Sequence, residues 1–246
     1  GWLSRASRLL DDQPDCVEKG YLLLPAGYRA FHTGDPKTAR TIMAEAAAIG
    51  KLFEDKDLAT LGLQGQGRAL ISQGEISSGL ALLDEAMVAV MAGDVSPLSS
   101  GAVYCSVLDA CGEICDLQRA QEWTSALEEW CASQPDLVPY RGHCLVRRAE
   151  LLQLRGAWAD ALDWAGKANE WLTRPSAKTM RGEALYQVGE VQRLRGNFAE
   201  ANEAYQQANE CCFIAGPGLA QLRLAQGDVQ ASKLAVQQLI GLVQAP

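Results

Sequence analysis

CLVRRAELLQLRGAWADALDWAGKANEW, residues 144–171, reads as helix, glycine turn, helix. Residues 144–155 carry a helical apolar pattern. Residues 158–171 carry another, with apolar positions at i, i+3, i+4 and i+7. Gly156 between them suits the left-handed conformation that ends a helix.

The same unit recurs along the chain. The turns TGDP, QGEI, ICDL, RGAW, RGNF and QGDV put one anchor residue each at Gly34, Gly74, Cys115, Gly156, Gly196 and Gly227, spaced 40, 41, 41, 40 and 31 apart. Five residues after each anchor stands a small residue: Ala39, Gly79, Ala120, Ala161, Ala201 and Ser232. Twelve after stand Ala46, Ala86, Leu127, Ala168, Ala208 and Leu239, and seven before stand Gly27, Gly67, Leu108, Ala149, Gly189 and Ala220. Trp123 and Trp164 both lie eight after an anchor, and Trp130 and Trp171 fifteen after. Their second-helix register makes these tryptophans core residues.

Small residues at fixed positions let paired helices approach closely. One pair cannot bury its apolar face alone, so the units must stack. The spacing therefore predicts an all-α protein: a right-handed α-solenoid of helical hairpins with a period of about 40 residues. Residues 1–246 are expected to form a single repeat domain of about five to six pairs, with residues 2–10 as the second helix of a preceding, truncated repeat. Asp35, Asp116, Asn197 and Asp228 follow their anchors and suit N-caps. Cys115 at an anchor costs of order 1 kcal/mol against glycine. Pro25 either delays the start of the first helix or kinks it.

The columns G-x2-Y/L-x3-G-x4-A-x6-A resemble the tetratricopeptide repeat, whose period is shorter, roughly 34 residues. Longer units of this kind look like the sensor regions of large bacterial LuxR-type (MalT-type) transcription regulators, actinobacterial-style members above all. The stretches GWLSRASRLL (1–10), DCVEKGYLLLPAG (15–27) and GLALLDEAMVAVMAGDVSP (79–97) carry the resemblance. So do GAVYCSVLDACGEICDLQRAQEWTSAL (101–127) and PDLVPYRGHCLVRRAELLQLRGAWADAL (135–162). In that family a helical array precedes a C-terminal helix-turn-helix domain. No such domain lies in these residues, so DNA binding is implied for a longer parent chain alone. The start at Gly1 and the end in QAP fit a piece of such a chain.

Composition narrows the classes. Hydrophobic residues make up 48% and charged residues 21%, which is enough apolar content for a folded core. A net charge of -8 is a poor match for a phosphate backbone. No apolar stretch reaches the ~18 residues of a membrane span, and residues 1–10 lack the apolar core of a secretory signal. A cytoplasmic location is expected, with the eight cysteines as reduced thiols. There is no phosphate-binding glycine loop, no G-x-S-x-G and no HExxH. Cys105, Cys111 and Cys115 lack the tight knuckle spacing of zinc sites. His32 and His143 have no nucleophile placed by motif. A non-catalytic protein with no cofactor and no metal is expected.

The resemblance implies that the first helix of each pair lines a concave groove. Counting back from the anchors gives an inward column of Tyr28, Arg68, Asp109, Glu150 and Glu190. Beside it run Leu24, Gln64, Cys105, Val146 and Tyr186, and then Phe31, Ile71, Gly112, Gln153 and Arg193. Tyr28, Arg68, Asp109, Glu150, Glu190, Gln64 and Tyr186 are the candidate binding residues: an aromatic, apolar end and an acidic centre, with Arg68 and Asp109 able to pair as surface charges. The Lys and Asn of a chaperone-binding carboxylate clamp are missing.

Two readings follow. One is a sensor module of a LuxR-type regulator, in which a protein, peptide or small-molecule effector in the groove biases dimerisation or a DNA-binding domain. The other is a peptide- or protein-binding scaffold without such a domain. A homodimer stays open, a membrane partner is not expected, and DNA contact would require a domain outside this chain.

Overall fold

The computed structural model of the protein describes residues 1–10, 13–133, 138–173 and 177–243. Among them are thirteen helices and no strand. In chain order they are α1 (Trp2–Leu10), α2 (Val17–His32), α3 (Pro36–Leu52), α4 (Lys56–Ser72), α5 (Ile76–Met91), α6 (Pro97–Glu113), α7 (Leu117–Ser133), α8 (Val138–Leu154), α9 (Trp158–Trp171), α10 (Lys178–Leu194), α11 (Phe198–Glu210), α12 (Gly216–Ala225) and α13 (Val229–Val243). From α2 onward they form six consecutive pairs, and every anchor residue sits in the turn inside a pair.

All six anchors have positive φ, from 57° at Cys115 to 84° at Gly74. Each turn closes with the same two backbone bonds, as in Asp35 N–H to Ala30 O at 2.9 Å and Gly34 N–H to Phe31 O at 3.1 Å. The Cys115 turn keeps this pattern, with Asp116 N–H to Cys111 O at 2.9 Å, so the repeat imposes a left-handed backbone on a residue that carries a Cβ. Asp35, Asp116 and Asp228 accept the capping hydrogen bond from Thr38, Arg119 and Ala231 at 3.1, 3.0 and 2.9 Å. Asn197 does not cap. Its Nδ2 donates to Gln192 Oε1 at 2.8 Å instead. Pro25 lies inside α2, which runs through it.

The small columns are where helices touch. Ala39, Ala46, Ala86, Ala161, Ala168, Ala201 and Ala208 are all 0–1% exposed. Gly67 and Gly79 mark the closest approach of α4 and α5, where a Cβ on Gly79 would lie 2.6 Å from the Gly67 carbonyl oxygen. A side chain there would push the pair apart.

The residues divide into two compact units, Gly1–Trp123 and Thr124–Pro246. In the first, α3 packs on α2 and α4, and α4 on α5 and α6. In the second, α10 packs on α8, α9, α11 and α12. The first unit's core holds Leu24, Met43, Ala46 and Leu58. The second holds Leu145, Val146, Ala168 and Leu172, and separately Leu185, Ala201, Tyr205, Ala208 and Leu222. No helix of the described residues is long and apolar enough to cross a membrane.

Candidate functional site

In the first unit, first helices α2, α4 and α6 line one cavity of about 260 Å³. Its walls include Tyr28, Gln64, Arg68 and Asp109, four of the candidate groove residues. A helical position six or ten residues before a turn faces the same way in each pair, so the column lands on one surface. Phe31, Ala39, Met43 and Ala102 supply most of the apolar part, with His32, Cys105 and Ser106 beside them. Gly27 and Gly65 leave room for Met43, which lies between them as the floor: Cβ atoms there would sit 2.8 and 2.5 Å from its side chain.

A hydrogen-bonded chain crosses this cavity. Tyr28 Oη donates to Gln64 Oε1 at 2.8 Å, and Gln64 Nε2 donates to Ser106 Oγ. Tyr28, Gln64 and Ser106 thus tie three successive repeats together. Arg68 is buried. Its guanidinium lies 5.5 Å from the Phe31 ring centroid and donates to Glu113 Oε1 at 2.6 Å. The ion partner is therefore Glu113 rather than the expected Asp109. Glu113 is half exposed, which weakens the pair by hydration. Asp109 keeps its carboxylate on the pocket wall.

In the second unit Tyr186 and Glu190 form a different arrangement. Glu190 is 9% exposed, and it accepts from Tyr205 Oη at 2.6 Å and from Arg193 Nη2 at 2.7 Å. Tyr186 packs against the rings of Tyr205 and Phe213 at 5.5 and 5.2 Å. Burial, and then the charge of Glu190, pushes the Tyr186 hydroxyl up to about 12. Burial and the hydrogen bond to Glu190 also hold the Tyr205 hydroxyl well above its usual range. Glu150 is gripped by Arg147 on both oxygens at 2.8 Å. The two glutamates of the expected acidic centre are each met by an arginine three residues away on the same helix.

Sequence reading missed Ser106, Glu113, Met43 and Tyr205. Met43 and Tyr205 both stand nine residues after an anchor, opposite a glycine of the seven-before column. That size match was the available signal. The tryptophans correct another expectation. Trp171 is 41% exposed and Trp123, Trp130 and Trp164 are half-buried, so none is a closed core residue. Trp164 stacks with Arg148 at 4.3 Å and Lys167 at 4.5 Å, and Arg148 also pairs with Glu128. Trp164 packs against the core of Leu145, Val146, Ala168, Leu172 and Ala184, and long cationic stems cover what that core leaves open.

Among the described residues no group of three or more His, Cys, Asp or Glu is arranged to hold a metal. None of the seven cysteines with described side chains is in a disulfide. Cys111 is buried, and burial followed by Asp116 pushes its thiol up to about 11, so it stays protonated and a poor ligand. His32 is exposed beside Tyr28 O at 2.7 Å, and the side chain of His143 lies outside the described residues.

No family model and no curated protein matches this sequence. Among solved structures the chain is similar to NprR in the crystal structure of NprR in complex with its cognate peptide NprX. The TM-score is 0.71 at 13% identity, over 98% of this chain and 71% of that one. At that identity the likeness shows the fold: an all-helical, tetratricopeptide-like repeat.

Proposed function

We propose that this chain is a non-catalytic sensor module that binds a short peptide through the cavity of its first unit, in a LuxR-type transcription regulator of the cytoplasm. The observation that carries the reading is the Tyr28–Gln64–Ser106 chain, which links three repeats across one open cavity. A ligand that replaces any of these hydrogen bonds changes how neighbouring repeats are tied, which is how binding would reach a distant domain. The peptide bound by the similarly folded NprR supports the ligand class. The resemblance of nearly the whole chain to LuxR-type sensor regions, carried by the stretches quoted above, supports the regulatory role.

The test is thermal unfolding of this chain against pools of short synthetic peptides. A peptide at about 100 times its Kd stabilises the folded state by about 2.7 kcal/mol. Gln64→Ala should weaken the selected peptide by about 1–3 kcal/mol, because its partners lose both hydrogen bonds. Failure of every pool to raise Tm sinks the peptide reading. The regulatory part fails separately, if the parent reading frame holds no helix-turn-helix.

A further inference from the structure

Two places in the chain share one construction. A side chain nine residues after a turn is clasped between two glycines, one seven residues before that turn and one nine before the next. In the first repeat Met43 lies between Gly27 and Gly65. In the fifth, Tyr205 lies between Gly189 and Gly218, and a Cβ on either would come within 2.5 Å of Tyr205 Cε1. The two clasped side chains differ in reach. The Tyr205 ring continues to Tyr186 and its hydroxyl donates to Glu190. Met43 ends in a methyl group, and beyond it lies the open cavity of about 260 Å³.

We infer that this cavity takes the aromatic side chain of a peptide, a phenol or indole with a polar tip, which fills from outside what Tyr205 fills from within. The inference rests on the reading of the cavity as a peptide site and names the residue that anchors the peptide. The volume is below the roughly 300–1,000 Å³ of small-molecule sites, so it suits one side chain rather than a whole ligand. Phe31, Ala39 and the Met43 thioether offer apolar and sulfur contacts to a ring. The wall also carries polar groups for the tip of such a ring: Tyr28 stands at the repeat position from which Glu190 accepts the Tyr205 hydrogen bond, and Gln64 and Asp109 line the same cavity.

The experiment pans a display library of short random peptides on the wild-type chain and on Met43→Tyr, whose new ring would occupy the cavity. Peptides that bind the wild type and not the variant should share a Tyr or Trp. They should move the Met43 methyl resonance upfield, and weaken at least about tenfold when that residue becomes Leu. A shared Leu or Ile, with no loss on removing aromatics, overturns the inference and leaves the peptide site standing. No peptide lost in Met43→Tyr overturns the site itself, and the inference with it. A second measurement needs no folded variant: p-cresol and 4-methylcyclohexanol are each titrated into wild-type protein labelled at its methionine methyls. Saturable binding of p-cresol at Met43, at least about threefold tighter than that of the saturated alcohol, is expected. Equal or reversed affinities, or no response from either, overturn the inference.

Discussion

Met43 in the first repeat and Tyr205 in the fifth occupy the same repeat position, are clasped by equivalent glycines, and are both essentially buried. Around Met43 the neighbouring first helices leave a cavity walled by Tyr28, Gln64, Arg68 and Asp109. Around Tyr205 the phenol closes the space, and Glu190 is consumed by Tyr205 and Arg193. The backbone plan is shared, so the side chain it clasps decides between a binding surface and a core. Charge follows the same division. A buried glutamate persists only when fully partnered, as Glu190 is. Arg68 instead shares its charge with a half-exposed Glu113, which water can also serve.

The largest effect should come from removing the plug. Tyr205→Ala should cost about 3–5 kcal/mol in urea unfolding, since it empties a buried ring and strips a donor from Glu190. A loss below about 1 kcal/mol would break the comparison, because the ring would then not be core. Next come the clasping glycines. Gly218→Ala drives a Cβ into the Tyr205 ring and to 2.7 Å from Glu190 Oε1, and should cost about 1–3 kcal/mol. Gly65→Ala meets the flexible Met43 first and gains up to about 1 kcal/mol of helix propensity, so its net change should stay smaller. Equal penalties at the two positions would show that the plug and the floor are equally rigid.

Alkaline pH sharpens the contrast further. Burial and Glu190 raise the Tyr186 hydroxyl from 10.0 to about 12. A group raised in the folded state contributes stability that is complete below its unfolded pKa, and that is lost as pH climbs through the folded value. Unfolding free energy should therefore fall from pH 10 toward pH 12, and Tyr186→Phe should flatten that fall. Tyr21, raised to about 12 by burial and its bond to Asp55, should contribute similarly in the first unit. A profile unchanged by Tyr186→Phe would mean that its hydroxyl titrates freely. The smallest effect tests what the repeats have in common. Cys115→Gly relieves a positive φ and should raise stability by up to about 1 kcal/mol, read as a higher Tm, without altering peptide binding.

Much of the site was legible as register. Tyr28, Gln64, Arg68 and Asp109 were chosen by counting back from turns, and they share one cavity because helical direction is fixed by the backbone. The partners were not legible. Arg68 reaches Glu113 rather than Asp109, because a long guanidinium selects among several carboxylates by local packing. Glu150 and Glu190 counted as free acids on the column, yet Arg147 and Arg193 stand one turn away on the same helices. The tryptophan columns looked like closed core, yet Trp164 sits at the edge of it, packed on Leu145 and Ala168 and also covered by Arg148 and Lys167.

The sequence by itself determined the helices, their pairing and the turns between them. Anchor glycines, capping aspartates and small columns act over a few residues, and backbone sterics leave them one solution. Even Cys115 obeys that solution with the wrong residue. Whether a groove position is open or filled was decided only by the tertiary structure. That outcome depends on volumes contributed by three helices that meet in space, and no single column records their sum. Met43 and Tyr205 share one register, and only the packing around them shows that one leaves a cavity and the other closes it.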